Sequence, residues 1–176
     1  NPHLEHGQAI PGICSGRGIG IIELGDVDRI VHALGYLQGH APQAVAGVRR
    51  WLAAMLRWLT GSDKGRDEAA NGNNHASWWA VHVAAFAAAT GDDAVADAAF
   101  AHFRDVLLPQ QMRRDGSLPR ELERTKALSY SLFNLNAWTA LAELALQRGV
   151  DLWHFVLPDG RSIARGVEFV LPFLDN

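Results

Sequence analysis

The chain has 176 residues, of which 48% are hydrophobic and 20% charged, and its formal net charge is −3. This composition fits a single globular domain over residues 1–176, and its weak acidity argues against a general nucleic-acid binder. The only cysteine, Cys14, rules out an intramolecular disulfide, and no apolar run approaches the roughly 18 residues that a membrane-spanning helix needs.

The first 25 residues are rich in turn formers, which exclude a long helix there. Glycine or proline occupies these positions: Pro2, Gly7, Pro11, Gly12, Gly16, Gly18, Gly20 and Gly25. Within this stretch, residues 19–22 are compatible with either a short strand or a buried loop. We therefore expect a loop or strand-like entry segment before the first helix.

From residue 26 onward, apolar residues recur at helical spacing and predict six substantial helices. Asp26 or Asp28 suits the N-cap of the first helix, and Pro42 suits the first turn of the second. The third helix is apolar almost all round, which is typical of an interior helix, and Pro172 is expected to fray the last one. The predicted helices cover about residues 26–38, 42–60, 75–90, 93–107, 128–147 and 162–174.

Two long polar segments, residues 61–74 and 109–126, are predicted to be loops. Helices joined mostly by short turns favour an all-α fold of stacked antiparallel helix pairs. Because long loops without regular structure are often functional, the candidate site residues are sought in and beside these two segments.

Asn73, Asn74 and His75 stand where the first polar loop enters the apolar third helix. The simplest interpretation is that one asparagine is only an N-cap. The functional alternative is that an amide and an imidazole at a helix N-terminus both point towards a bound carboxylate.

The second group consists of Arg124, Lys126 and Tyr130, at the end of the second polar loop. Residues 113–126 hold five positive and three negative side chains, a local excess of two positive charges in an acidic chain. This group fits a solvated loop followed by a core tyrosine. It also fits a guanidinium group that favours the anion of a neighbouring phenol.

Two other patterns are weak. The glycine-rich residues 16–20 match neither the dinucleotide nor the P-loop spacing. His3, Glu5 and His6 are possible zinc ligands, but the sequence offers no second cluster at metal-ligand spacing. We therefore predict neither a metal nor a cofactor.

Three motifs together resemble the alginate lyase domain family, most closely its group of mannuronan and glucuronan lyases. They are Asn73-Asn74-His75-Ala-Ser-Trp78, Asp115-Gly116-Ser-Leu118-Pro119-Arg-Glu121-Leu122-Glu-Arg124-Thr-Lys-Ala-Leu-Ser-Tyr130, and Gly149-Val-Asp151-Leu152-Trp153. Residues 1–18 fit the same group, so that the resemblance spans nearly the whole chain. Residues 78–82 depart from the family pattern. This departure bears on substrate preference and leaves the other motifs intact.

The resemblance implies part or all of an α/α toroid of antiparallel helix pairs. It also implies a periplasmic or secreted location, although residues 1–176 contain no signal-peptide pattern. Family domains are longer on the N-terminal side, so we expect an incomplete toroid. Such a toroid would expose apolar helix faces, through which we expect association into a homo-oligomer.

The resemblance matches Asn74, His75, Arg124 and Tyr130 to the family's catalytic residues. These residue types suit β-elimination, in which the proton beside a uronate carboxylate is removed and the 4-linked sugar oxygen leaves. We expect Asn74, His75 and Arg124 to stabilise the resulting negative charge, and Tyr130 to handle the proton, with His75 as the alternative base. The predicted substrate contacts are Gln8, Arg17, Trp78 and Lys126.

The expected partner is thus an acidic polysaccharide such as alginate, polymannuronate or glucuronan, cleaved without a cofactor. The alternative is a non-catalytic helical domain that binds acidic glycans. Hydrolysis is disfavoured because it needs two carboxylates flanking the bond, and Glu121 and Glu123, two residues apart on a helix, would not share a face.

Overall fold

The computed structural model describes residues 2–25 and 27–174 and, within α1, leaves the side chain of Asp28 undescribed. Over these residues the protein is all-α, as predicted: every named element is helical, and the sole β feature is an isolated bridge between Ile10 and Cys14. Within the described part of the chain, no helix is long and apolar enough to cross a membrane.

The entry segment consists of turns followed by a 3₁₀ helix, Gly18–Leu24. The two structures considered for residues 19–22, a short strand and a loop, were therefore both wrong. Ile21 is buried, and the main chains at Gly7 and Gly20 approach so closely that a Cβ on Gly20 would lie 2.4 Å from the carbonyl carbon of Gly7. This close approach folds residues 7–20 back on themselves.

The first two long helices lie where the hydrophobic period predicts them. Helix α1 covers Val27–Leu37, and the N-cap predicted at Asp26 or Asp28 falls outside the described residues and side chains. Helix α2 covers Pro42–Gly61 with proline in its first turn. Its predicted apolar face is buried, with Val48 partly buried against the same core.

The prediction that residues 61–74 form a continuous loop was wrong, because they contain helix α3, Asp63–Ala69. The Ser62 side chain caps this helix by accepting a hydrogen bond from the main-chain N–H of Gly65 at 3.0 Å. Gly65 and Glu68 are buried against neighbouring elements. Tertiary packing therefore stabilises a helix that the polar sequence alone does not predict.

Helix α4, Asn74–Thr90, is the interior helix of the fold, as predicted. It packs against α1, α2 and α3, and also against two helices that follow it in the chain, α5 (Asp93–His102) and α8 (Ala127–Leu146). Gly91 ends it in the left-handed conformation at φ 77°, a conformation that favours glycine. The site residues at its start are therefore fixed by the core.

Helix α5 is capped by Asp92. The helical stretch that it begins was predicted to end near residue 107 but extends to Gln111. It continues through a π-helical turn, Phe103–Leu107, into α6, Leu108–Gln111. The main-chain N–H of Leu108 bonds to the carbonyl of Phe103, five residues earlier. Because this turn is wider than an α-helical one, the helix passes Pro109, which has no N–H to donate.

The second polar segment is a loop except for the short helix α7, Pro119–Leu122. Helix α8 follows it as predicted, and α9 covers Ile163–Val170 with Ser162 as its N-cap. The end expected to fray at Pro172 is instead a 3₁₀ turn, Leu171–Phe173. Helices α7 and α9 both pack on α8.

Candidate active site

The site is built on the N-terminus of helix α4. Asn73 is its N-cap, and the Asn73 side-chain oxygen accepts a hydrogen bond from the main-chain N–H of His75 at 3.1 Å. The capping role therefore belongs to Asn73, which leaves the side chains of Asn74 and His75 available for other contacts.

Asn74 is bound to a buried carboxylate from the second polar segment. Its main-chain N–H donates to Oε1 of Glu121 at 2.7 Å, and its side-chain nitrogen donates to Oε1 at 3.1 Å and to Oε2 at 2.9 Å. Both residues are 1% exposed. This contact joins the start of α4 to α7.

Burial raises the pKa of the Glu121 carboxyl above its ordinary value. The hydrogen bonds from Asn74 and the positive charges of Arg124 and His75 act in the opposite direction. Glu121 therefore lies near Arg124 and His75 and is bound to the Asn74 amide.

His75 is held by a second buried carboxylate, that of Glu68 in α3. Its ring nitrogen Nδ1 lies 2.9 Å from Oε1 of Glu68, whose other oxygen accepts a hydrogen bond from the Asn71 side chain at 3.0 Å. Glu68 is fully buried, whereas the His75 side chain is 15% exposed. Because Nδ1 is occupied by Glu68, the imidazole offers Nε2 to a ligand.

Arg124 and Tyr130, the other two predicted catalytic residues, contact each other. The guanidinium carbon of Arg124 lies 3.9 Å from the centroid of the Tyr130 ring, a cation–π contact. The main-chain N–H of Arg124 donates to the carbonyl of Glu121 at 3.1 Å. The segment that carries Glu121 to Asn74 therefore also carries Arg124 to Tyr130.

A buried polar network supports α4 from behind. The Gln111 side chain donates to the carbonyl of Asn73 at 3.1 Å and accepts hydrogen bonds from Ser77 at 3.1 Å and Asn134 at 2.8 Å. The Trp138 indole nitrogen donates to the Ser77 hydroxyl at 2.9 Å. These contacts fix the position of the helix end that carries Asn74 and His75.

Gln8 and Arg17, two of the predicted substrate contacts, are hydrogen-bonded to each other. Arg17 donates to the main-chain and side-chain oxygens of Gln8 at 3.1 and 3.2 Å. Gln8 has φ 50°, an uncommon conformation for a non-glycine residue. Gly18, the residue after Arg17, packs on α3 so closely that its Cβ would lie 3.4 Å from the Glu68 nitrogen. The Gln8–Arg17 pair therefore lies beside α3, the helix whose Glu68 binds His75.

The other two predicted substrate contacts occupy different environments. Lys126 is exposed immediately before α8. Trp78 is only 7% exposed and packs on Phe133, with their ring centroids 5.1 Å apart. An indole buried in this way presents little surface to a sugar, so we leave Trp78 out of the proposed contacts.

The residues of the weaker sequence patterns are engaged elsewhere. Glu5 pairs with Lys64 and accepts a hydrogen bond from the Trp58 indole, while His3 stacks on the same indole. Glu121 is buried whereas Glu123 is exposed, so these two carboxylates do not form the pair that a glycoside hydrolase needs.

Sequence analysis missed Glu68 as a partner of His75, and considered Glu121 only as one member of a hydrolase pair. Either carboxylate could equally be a solvated charge when judged from sequence. The one available signal was position, since Glu68 stands seven residues before His75 and Glu121 three before Arg124. Gln111, Ser77 and Asn134 carried no recognisable signal.

Comparisons with known proteins identify the family of this chain. The model of the family described as alginate lyase matches residues 1–176. A curated "Polysaccharide lyase" of Stenotrophomonas maltophilia (strain K279a) is 35% identical over 127 residues, which cover 69% of this chain and 37% of that protein. A crystal structure of an alginate lyase from Bacteroides ovatus matches with a TM-score of 0.95 and 31% identity, over 99% of this chain and 47% of that one.

The chain therefore spans less than half the length of either of these relatives. The near-complete structural match is consistent with the helical arrangement of an α/α toroid. A family match over residues 1–176, together with the solved relative at 31% identity, is decisive at the level of family. The chain belongs to the alginate lyase family.

Proposed function

We propose that this protein is a polysaccharide lyase that cleaves a 1,4-linked uronate polymer by β-elimination. One observation carries the proposal: buried Glu121 binds Asn74 beside His75, in the same segment that places Arg124 against Tyr130. The amide and imidazole at the start of α4 are thereby connected to the guanidinium–phenol pair through one short segment, residues 121–124.

In this reaction a base removes the proton from the carbon next to the uronate carboxylate. The electron pair forms a double bond to the neighbouring carbon, and the bond from that carbon to the glycosidic oxygen breaks. The negative charge that develops on the carboxylate must be stabilised, and a single well-placed donor can contribute about 3 to 4 kcal/mol to lowering such a barrier. Asn74, His75 and Arg124 fill this role.

Tyr130 is the proposed proton-handling group. It accepts the proton from carbon and protonates the leaving oxygen, while the guanidinium against its ring offsets the negative charge of the phenolate. His75 is the alternative base, acting through Nε2, because Glu68 occupies Nδ1.

The proposed substrate is an acidic polysaccharide such as polymannuronate, alginate or glucuronan. Gln8, Arg17 and exposed Lys126 are the proposed contacts to neighbouring sugar units. The names of the relatives, alginate lyase and polysaccharide lyase, support this substrate class. A periplasmic or secreted location would bring the protein to such a polymer.

The test is Tyr130→Phe, assayed by the ultraviolet absorbance of the unsaturated product from polymannuronate. We expect the rate to fall by at least about 100-fold, since general acid–base catalysis by one group contributes 10²- to 10⁴-fold. Tyr36→Phe is the matched control, because Tyr36 is 84% exposed and should leave the rate unchanged.

Near-normal turnover by the Tyr130→Phe protein would remove Tyr130 from the chemistry. Binding of polymannuronate by the unmodified protein without any growth in absorbance would favour the alternative, a non-catalytic domain that binds acidic glycans. A panel of mannuronate, guluronate and glucuronate polymers then identifies the preferred substrate.

A further inference from the structure

The Asn74 amide is turned the wrong way for binding a carboxylate. Its side-chain nitrogen donates to both oxygens of Glu121, as an ionised carboxylate requires. Its oxygen Oδ1 has no hydrogen-bond partner among the described residues and is not among their atoms sealed from solvent. The small surface that Asn74 exposes, 1% of the residue, therefore includes an acceptor.

An amide oxygen cannot donate a hydrogen bond, so it repels a carboxylate placed against it. Asn74 can serve a uronate carboxylate as a donor only after its amide turns by half a rotation about the terminal bond. After that turn Oδ1 faces Glu121, and two acceptors would meet unless Glu121 carries a proton.

Glu121 is suited to take that proton. When protonated, it donates from one oxygen to Asn74 Oδ1 while its other oxygen keeps the hydrogen bond from the Asn74 main chain. Burial of the carboxyl, which is 1% exposed, favours the neutral form. The charges that face it are those of Arg124 and His75, with Glu68 behind His75, and a bound uronate adds a negative charge that favours protonation further.

We propose that Glu121 is a positioning residue whose proton determines which end of the Asn74 amide faces the substrate, so that a uronate carboxylate binds together with one proton taken from solvent. The inference rests on the proposed function, and it gives Asn74 its donor role only in the protonated state of Glu121. Above the pH at which free Glu121 ionises, binding weakens as the pH rises.

The test is calorimetric titration of a mannuronate tetramer into Tyr130→Phe protein, which is expected to bind the tetramer without cleaving it. Titrations at one pH in phosphate and in Tris, whose ionisation enthalpies differ, give the number of protons taken up. We expect about one proton per tetramer at neutral pH and a Kd that rises by up to about tenfold per pH unit. Binding without proton uptake would overturn the inference.

Glu121→Gln, in the same Tyr130→Phe background, removes the carboxyl that binds the proton but keeps an acceptor for the Asn74 main-chain N–H. The new amide still accepts from the Asn74 main chain but donates permanently to Oδ1, so we expect tight binding with neither proton uptake nor the pH dependence. Glu123→Gln, a change at an exposed neighbour, should keep both. Persistent uptake in the Glu121→Gln protein would assign the proton to another group, such as His75, and would contradict the proposal.

The two proposals fail in different ways. A protein that binds no uronate ligand at any pH overturns the proposed function and this inference together. Unmodified protein that cleaves polymannuronate, while its Tyr130→Phe form binds the tetramer without proton uptake, overturns only the role of Glu121. If the Glu121→Gln protein does not fold, the number of protons taken up by the Tyr130→Phe protein still tests the role of Glu121.

Discussion

Glu68 lies fully buried beneath His75, and its carboxylate holds ring nitrogen Nδ1. A buried carboxylate is unfavourable unless it is hydrogen-bonded, so this one constrains the groups around it: His75 on one oxygen and Asn71 on the other. The orientation of the imidazole is therefore determined by α3, outside the helix that carries His75.

Glu68→Gln should lower kcat on polymannuronate by about 10- to 100-fold, because a displacement of about 1 Å in a catalytic group costs up to 10²-fold. KM should change little, since the proposed substrate contacts Gln8, Arg17 and Lys126 are unchanged. Asp67→Asn, at the exposed neighbouring position, is the control and should keep the normal rate. Initial rates over a range of polymer concentrations measure both constants, and an unchanged kcat would show that His75 does not depend on Glu68.

At the level of single residues, sequence patterns predicted some of the residues that the structure brings into contact. A polar motif at a helix start indicated Asn74 and His75, and the family motif matched Arg124 and Tyr130. Arg124 lies three residues after Glu121, which binds Asn74, and contacts the Tyr130 ring. The partners Glu68 and Glu121 could not be recognised, since a buried glutamate and an exposed one look alike in sequence. Burial arises from contacts between distant segments, which a single sequence does not report.

Helix α3 shows what determines short elements. Its seven residues include five charged side chains and a glycine, and they lack the apolar period that predicted α1, α2 and α4. It is held by the Ser62 cap and by the packing of Gly65 on the preceding turn. Sequence analysis therefore predicted the helices that have a continuous apolar face. It did not predict α3, whose formation depends on one cap and one close contact.

Gly65→Ala should destabilise the protein strongly, because the added Cβ would lie 2.0 Å from the carbonyl oxygen of Leu59 and main-chain atoms would have to move. We expect a loss of about 3 kcal/mol or more in the free energy of unfolding, measured by urea denaturation. Gly47→Ala, inside α2, is the matched control, since its Cβ would have no atom nearer than 3.9 Å.

The control should be stabilising by up to about 1 kcal/mol, because alanine favours a helix interior more than glycine does. Equal unfolding midpoints for the two variants would show that α3 can move away from Leu59 without cost. Such a result would also weaken the account of how α3 positions Glu68 beneath His75.

For the molecule as a whole, the all-α class and the six long helices followed from hydrophobic periodicity, because each long helix buries an apolar face or is buried on all sides. The hydrophobic period did not predict that the helix continues past Pro109. A proline usually marks a helix end, and nothing in the sequence indicates that a π turn will carry the helix through it.

An apolar patch lies between α7, α8 and the C-terminal turn. Its cavity of about 370 Å³ is lined by Leu122, Leu128 and Phe169 among others, and Phe173 is 51% exposed at its edge. We predict that the protein self-associates through this patch, since exposed apolar surface of this kind marks interaction sites.

Light scattering coupled to size-exclusion chromatography, over a range of concentrations, measures this association. Phe173→Ser should weaken it by at least about tenfold in Kd, as expected for removal of a large aromatic contact from an interface. Val156→Ser, which removes another exposed apolar side chain outside the patch, should have no effect. A monodisperse monomer at every concentration would contradict the prediction.

The π turn at Phe103–Leu107 also sets the angular position of everything after it in the same helix. Each residue of an α-helix advances the chain by about 100° around the axis, so one residue fewer in this turn would swing Gln111 about a quarter of the way round the helix. Its amide would then point away from the Asn73 carbonyl that it now meets at 3.1 Å. A single surplus residue, nearly two helical turns before Gln111 and far from the site in sequence, thus keeps the start of α4 aligned.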